Sequence, residues 1–198
     1  MIRKLVLTIA FAMSLTSAYA ANPQVEFDTT AGIIRVELFP DAAPKTVANF
    51  LDYVKSKHYD GTQFHRVIDG FMIQGGGFTA DFKEKPTKPP IAIESEASSK
   101  AGMTNVVGTL AMARTGDPNS ATSQFFINVN DNARLNFTAA TQQGYGYTVF
   151  GKVVSGMDIV NKIAKGPKGA KGAVAPGINP GDVPSPLVVI NSTKVIGS

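Results

Sequence analysis

The chain contains no cysteine. Disulfides, thiolate metal sites and a cysteine nucleophile are therefore excluded. Histidine is scarce: His58 and His65 are too few for a multi-histidine metal site, and no cofactor is expected. Charge is sparse as well. Charged residues are 17% of the 198-residue chain, and the formal charge is only +4. Without Arg3 and Lys4 it falls to +2, too small and too scattered an excess for a nucleic-acid surface. The apolar run Leu5 to Leu15 is shorter than the about 20 residues that a membrane-spanning helix needs. Hydrophobic residues nevertheless make up 43%, ordinary for a folded protein, and the length suits one domain with a leader or tail.

The first twenty residues read as that leader. Arg3 and Lys4 give a basic start, the apolar run follows, and Ala18-Tyr19-Ala20 puts small residues at both flanks of an A-x-A site. This is the pattern of a cleaved secretory signal, with an uncleaved membrane anchor as the alternative. Residues 1–20 are therefore set aside, and residues 21–198 are expected to form one exported domain with no membrane contact after cleavage.

Within that domain, Val25 to Asp28 and Ile33 to Phe39 read as two strands joined at Thr30-Ala31-Gly32. Ile34, Val36 and Leu38 alternate with Arg35 and Glu37, the period-2 sign of a half-buried strand. Pro44 opens a helix in which Val47, Phe50, Leu51 and Val54 share one face. Thr62 to Phe78 reads as strand, turn at Asp69-Gly70, strand. Val106 to Ala113, Phe125 to Val129 and Tyr147 to Val154 read as further strands. A shorter helix spans about Met157 to Ala164, and Leu187 to Ile190 and Thr193 to Ile196 are the last strand material. Residues 165–186, rich in Gly, Pro, Ala and Lys, are expected to form a mobile loop that adds nothing to the core. Short strands with two separated helices indicate a β-rich domain, sandwich or barrel.

The chemistry concentrates in Phe64 to Gly77, FHRVIDGFMIQGGG. Arg66 stands among Phe64, Phe71 and Met72, followed by Gln74 and three glycines. An unpaired cation costs several kcal/mol in a core, so this mixture marks a site rather than packing. A nucleotide loop is excluded at Gly75 to Gly77, because no Lys-Ser/Thr follows and no helix starts there. A second run, Ser123-Gln124-Phe125-Phe126-Ile127-Asn128, again mixes an amide with aromatics.

These two runs, with VFGKVVSGM at 149–157, resemble the cyclophilin family of peptidyl-prolyl cis-trans isomerases over residues 24–197. The resemblance implies a mainly β fold, a closed eight-stranded antiparallel β-barrel capped by two α-helices. It also implies a reaction without bond breaking. Rotation about a peptide C–N bond meets a barrier of about 18–20 kcal/mol, and X–Pro isomers exchange over tens of seconds or longer. A catalyst need only favour the twisted amide over both planar forms.

By resemblance, Arg66, Phe71 and Gln74 are catalytic. Arg66 would donate to the prolyl nitrogen, whose lone pair localises as the amide twists. Phe71, Met72, Phe126 and Leu135 would grip the proline ring. Gln74 and the backbone at Ala113, Arg114 and Thr115 would hold the substrate chain. Phe64, His65, Gln124 and Tyr147 would line or support the groove. The chain departs from many members in having no tryptophan. Arg134 stands at the pocket-rim tryptophan, which implies weak binding of cyclosporin-type ligands. Arg114 replaces a frequent asparagine, and Tyr147 replaces a histidine, as in several bacterial relatives.

The expected partners are proline-containing peptides and unfolded exported proteins, met in the periplasm or outside the cell. A monomer is expected. The competing readings are a non-catalytic proline-peptide-binding chaperone or adhesion module, and a carbohydrate-binding or structural barrel.

Overall fold

The protein is described from a computed structural model, which covers residues 21–197. The leader expected over residues 1–20 lies outside the described residues. The elements run β1 (Gln24–Thr29), β2 (Gly32–Leu38), α1 (Pro44–Lys55), β3 (Thr62–Ile68), β4 (Met72–Thr79), α2 (Ser95–Lys100), β5 (Thr109–Met112), β6 (Phe125–Asn128), β7 (Val149–Ser155), α3 (Met157–Lys165) and β8 (Ile190–Gly197). All eight strands join one antiparallel sheet in the order β3-β4-β6-β5-β7-β2-β1-β8.

The alternation read in β2 holds: Ile34, Val36 and Leu38 are fully buried. Their partners inside the curled sheet include Val25, Phe27, Val67, Ile73, Leu110, Phe125 and Ile127. Helix α1 drives Phe50 into this interior. Its ring lies 5.1–6.2 Å from those of Phe27, Tyr59, Phe125 and Phe150. Tilted and edge-on contacts of this kind add to the burial of the rings themselves.

The sheet is an open half-barrel, which corrects the expected closed one. Strands β3 and β8 are its edges, and they meet through one isolated bridge, Gln63 to Val189. The physical reason lies before β8. Pro184 and Pro186 have no N–H to offer a ladder. Val189 spends its own N–H on Thr30 Oγ1 (3.1 Å), and its carbonyl accepts from the Thr30 N–H (2.9 Å). Two backbone bonds flank the bridge, from the Phe64 N–H to the Val188 carbonyl (3.0 Å) and from the Gly61 N–H to the Ile190 carbonyl (2.8 Å), and the pairing forms no longer ladder.

A third helix, α2, is a further correction to the expected two. It is six residues of Ser, Glu, Ala and Lys, with no apolar stripe. Tertiary contacts hold it: Ser98 Oγ donates to the Val149 carbonyl at 2.6 Å. Its leading residue also serves α1, which has Ala43 at its N-cap and no side-chain cap of its own. The Glu94 carboxylate accepts from the Lys45 and Thr46 N–H groups (3.0 and 2.8 Å) and from Thr46 Oγ1 (2.7 Å). A remote carboxylate thus satisfies the donors that a local cap would take and faces the positive end of the helix. Glu94→Ala is expected to lower stability by about 1–2 kcal/mol, read as a drop in the urea midpoint. An unchanged midpoint would mean that water serves those donors equally well.

The loop 165–186 is also more than a surface excursion. Val183 within it is fully buried, contrary to the expectation that the loop adds nothing to the core. Backbone bonds from Gly169 to Val183 (2.8 Å), Ala170 to Pro180 (2.9 Å) and Ser185 to Pro167 (2.9 Å) fold it back on itself. A 3-10 turn at Pro180–Asp182 brings it against β3. Among the described residues no helix is long and apolar enough to cross a membrane.

Candidate active site

Register places the site. Arg66 on β3 pairs with Gln74 on β4, Gln74 with Phe126 on β6, and Phe126 with Ala111 on β5. Directly opposed residues share a sheet face, so these four form one row across four strands. The row lies on the outer face, because the neighbours Val67, Ile73, Phe125 and Ile127 point into the interior core. A bulge between Phe64 and Arg66 separates the two residues' roles.

On this outer face lies a second, smaller apolar cluster. Met72, Ala111, Phe126 and Val149 are its buried centre, and Ile68, Phe71, Met103, Ala113, Leu135 and Tyr147 pack round it. The cluster leaves a cavity of about 120 Å³ lined by Arg66, Phe71, Met72, Gln74, Ala113, Arg114, Phe126, Leu135 and Tyr147. The Phe126 and Tyr147 rings meet edge-on at 5.5 Å. The Arg114 guanidinium lies over Tyr147 (4.9 Å) and donates from Nε to the Gly146 carbonyl (2.8 Å). The Arg134 guanidinium lies over the Phe71 ring at 4.5 Å, so the residue at the tryptophan position covers one wall as a cation on an aromatic face.

Arg66 is poised at the mouth, its side chain 43% exposed. Its Nη1 donates to Gln74 Oε1 at 3.5 Å, and Gln74 Nε2 donates to Gln124 Oε1 at 2.9 Å. On the other edge of the guanidinium, Nε lies 3.8 Å from Asp182 Oδ2. Gln124 can lie close to β4 because Gly77 has no side chain: a Cβ there would meet the Gln124 amide at 2.7 Å. Gln124 therefore supports Gln74 and stands outside the lining of the proline-sized cavity.

Three other residues of the resemblance also lie outside that lining. Phe64 is fully buried in the interior, edge-on to Phe125 at 6.2 Å. Thr115 belongs to an exposed turn, where its N–H and Oγ1 donate to Ser120 Oγ (2.9 and 2.8 Å). His65 packs against Phe78 at 4.8 Å and is almost fully buried, and its Nδ1 has no hydrogen-bond partner. Burial pushes the pKa of His65 down to about 4, so the ring is uncharged at neutral pH.

Two contributions escaped the sequence reading. One is Asp182, which no motif marks. The other is a network of buried amides beneath the cavity. Asn132 Nδ2 donates to the Phe71 carbonyl (2.9 Å) and to Asn128 Oδ1 (2.7 Å). Asn128 Nδ2 donates to Asn105 Oδ1 (3.2 Å), and Asn105 Nδ2 to the Leu135 carbonyl (3.1 Å). The backbones of two opposite walls, Phe71 and Leu135, are thereby tied together. The only signal in the sequence was asparagine at buried positions, which reads as loop until the chain is folded.

A small apolar cavity with a guanidinium at its mouth needs neither metal nor nucleophile to act on a prolyl bond. The family model for cyclophilin-type peptidyl-prolyl cis-trans isomerase matches residues 24–195. The chain belongs to this family. A Streptomyces antibioticus peptidyl-prolyl cis-trans isomerase is 55% identical over 173 residues, covering 87% of this chain and 98% of its own. Peptidyl-prolyl cis-trans isomerase B of Escherichia coli (strain K12) is 52% identical over 171 residues, covering 86% and 98%. Among solved structures, a cyclophilin-type isomerase from Cryptosporidium parvum, crystallised in the presence of the dipeptide Ala-Pro, superposes with a TM-score of 0.68 at 26% identity. That match covers 88% of this chain and 99% of the other. This cyclophilin is accordingly a prolyl isomerase, mainly β, and the cavity lined by Arg66, Phe71, Met72, Gln74, Phe126 and Leu135 lies on the outer face of its half-barrel.

Proposed function

We propose that this cyclophilin accelerates Xaa-Pro isomerisation in exported proteins as they fold, acting as a monomer in the periplasm after loss of residues 1–20. Export rests on the basic and apolar leader with its Ala18-Tyr19-Ala20 site. The assignment of roles rests on one observation, the Arg66 guanidinium held by Gln74 at the mouth of an apolar cavity the size of a proline ring.

The proline ring enters between Phe71, Met72, Phe126 and Leu135, which displaces water from the reacting amide. In the planar amide the nitrogen lone pair is shared with the carbonyl and makes a poor acceptor. As the bond twists, the lone pair localises and accepts from Arg66. A bond made mainly in the twisted state lowers the barrier without tightening the ground state, at about tenfold in rate for each ~1.4 kcal/mol. Gln74 and the backbone at Ala113 and Arg114 hold the flanking chain so that the ring stays still while the acyl side turns. Arg134 lies over one face of the Phe71 ring where the rim tryptophan would stand, and on this reading cyclosporin-type ligands bind weakly.

The folding role is tested on an exported protein whose refolding ends in a slow, proline-limited phase. Catalytic amounts of the protein, lacking residues 1–20, are expected to shorten that phase several-fold. Turnover of a short Xaa-Pro peptide with no change in the refolding phase would remove the folding role. The export claim is tested separately by the N-terminus of the cell-derived protein, expected to be Ala21 in the periplasmic fraction.

A further inference from the structure

The loop after α3 brings a carboxylate to the mouth of the proline cavity. Asp182 Oδ2 lies 3.8 Å from Arg66 Nε, and among the described residues it is the one carboxylate in ion-pair reach of Arg66. The backbone of Asp182 is fixed on both sides. Its own N–H donates to the Asn179 carbonyl (3.0 Å), and the Gly181 N–H donates to Asn179 Oδ1 (3.0 Å), which closes the 3-10 turn. On its other side Val183 is fully buried, and the Val183 carbonyl accepts from the Gly169 N–H at 2.8 Å. The turn packs against β3, the strand that carries Arg66.

Resting on the isomerase reading above, we propose that Asp182 is a positioning residue: its carboxylate and the Gln74 amide together hold the Arg66 guanidinium in the orientation that meets the twisting prolyl nitrogen.

Geometry is the first argument. A guanidinium is flat and presents five N–H donors in a fixed fork. Supports from two separate elements, Asp182 at Nε and Gln74 Oε1 at Nη1 (3.5 Å), fix the plane of that fork as well as its position. Neither support engages the Nη2 donors, which remain for substrate. Freedom is the second. The Arg66 side chain is 43% exposed, so packing alone does not confine its rotatable bonds. An anchor that orders it before the peptide arrives takes that ordering out of the barrier. Charge is the third. Gln74 is neutral and its contact is long, whereas attraction between opposite charges persists at 3.8 Å. Asp182 itself stands outside the lining of the proline cavity, so it acts on the prolyl bond through Arg66.

The test is a double-mutant cycle on kcat and KM, measured by NMR exchange spectroscopy on a Xaa-Pro peptide. Asp182→Ala is expected to lower kcat by about threefold to tenfold and to leave KM nearly unchanged, the mark of an interaction that acts mainly in the transition state. Asp182→Glu, which keeps the charge on a longer arm, is expected to recover part of the loss, and Asp182→Asn less of it. In the Arg66→Ala background the change Asp182→Ala is expected to have no effect, because no guanidinium remains to be held. Wild-type kcat in Asp182→Ala would overturn the proposal. So would an equal fractional loss with and without Arg66, which would mean that the substitution disturbs the loop and not the guanidinium. Urea unfolding verifies that each variant folds, and Asp182→Asn, of the same size, carries the cycle if the alanine variant does not. Full activity of Arg66→Ala would instead strike the role of Arg66 in the isomerase reading, a failure seen with Asp182 intact.

Discussion

Arg66→Ala is expected to lower kcat/KM on a Xaa-Pro peptide by about 10²–10³-fold, the range found when one preorganised donor is removed from a transition state. Stability should barely move. The Arg66 side chain is 43% exposed, its bond to Gln74 is 3.5 Å long and its ion pair with Asp182 is 3.8 Å. Such surface contacts contribute about 0–1 kcal/mol. The affinity of the variant for the planar peptide, measured by NMR titration, should also change little, because the lone pair that Arg66 serves is available only in the twisted amide. Arg66→Lys keeps the charge but loses the planar fork that meets Gln74 and substrate together, so it should recover only part of the rate. Activity of the alanine variant within about twofold of wild type would refute the role of Arg66 and favour a binding module in which turnover is incidental.

Acid should destabilise the protein through His65, beginning as the pH falls through about 6.5. Burial lowers the His65 pKa from 6.5 to about 4, and the neighbouring Arg66 charge acts in the same direction. The unfolded chain therefore takes up a proton first as the pH falls. Stability is complete above about pH 6.5 and is lost progressively down to about pH 4, where the folded ring also protonates. The displacement corresponds to about 3 kcal/mol, a large part of the about 5–15 kcal/mol that holds a typical domain. Urea unfolding at a series of pH values should show this loss in the wild-type protein and much less of it in His65→Phe, which keeps an aromatic ring against Phe78. His58, also lowered by burial, contributes a remainder of the same sign in both proteins. Equal pH slopes for the two would show that His65 is not the group responsible. Glu26 and Asp81, held low by Lys194 and by Lys83, lose their contributions as the pH falls below their ordinary values of 4.5 and 3.8.

These two neighbours on β3 illustrate what a sequence can and cannot say about a site. Arg66 and His65 stand side by side in one motif, yet the bulge and the pleat send one to the mouth of the cleft and the other behind it. Phe64, one residue further back, belongs wholly to the interior. The motif named the right neighbourhood but carried no information on which face each side chain would take, because a bulge changes the alternation without leaving a mark in composition. Gln124 was similarly visible as an amide among aromatics. Its work as the support of Gln74 depends on the missing side chain at Gly77, forty-seven residues away in the chain and adjacent in space.

The family resemblance of the chain's motifs grouped Arg66, Phe71, Met72, Gln74, Phe126 and Leu135 as one set, and local periodicity by itself determined the alternation of β2, the amphipathic faces of α1 and α3 and the β3–β4 hairpin. These follow from short-range geometry, where each residue's environment repeats with the strand or helix period. Tertiary structure alone decided the rest: the unsealed seam between β3 and β8, the helix α2, the remote Glu94 cap on α1, the amide network under the cleft and the approach of Asp182 to Arg66. Each of these joins groups far apart in the chain through hydrogen bonds or charge. No local pattern encodes such pairings, because the partners' distance is set only once the sheet has curled and its loops have been laid against it.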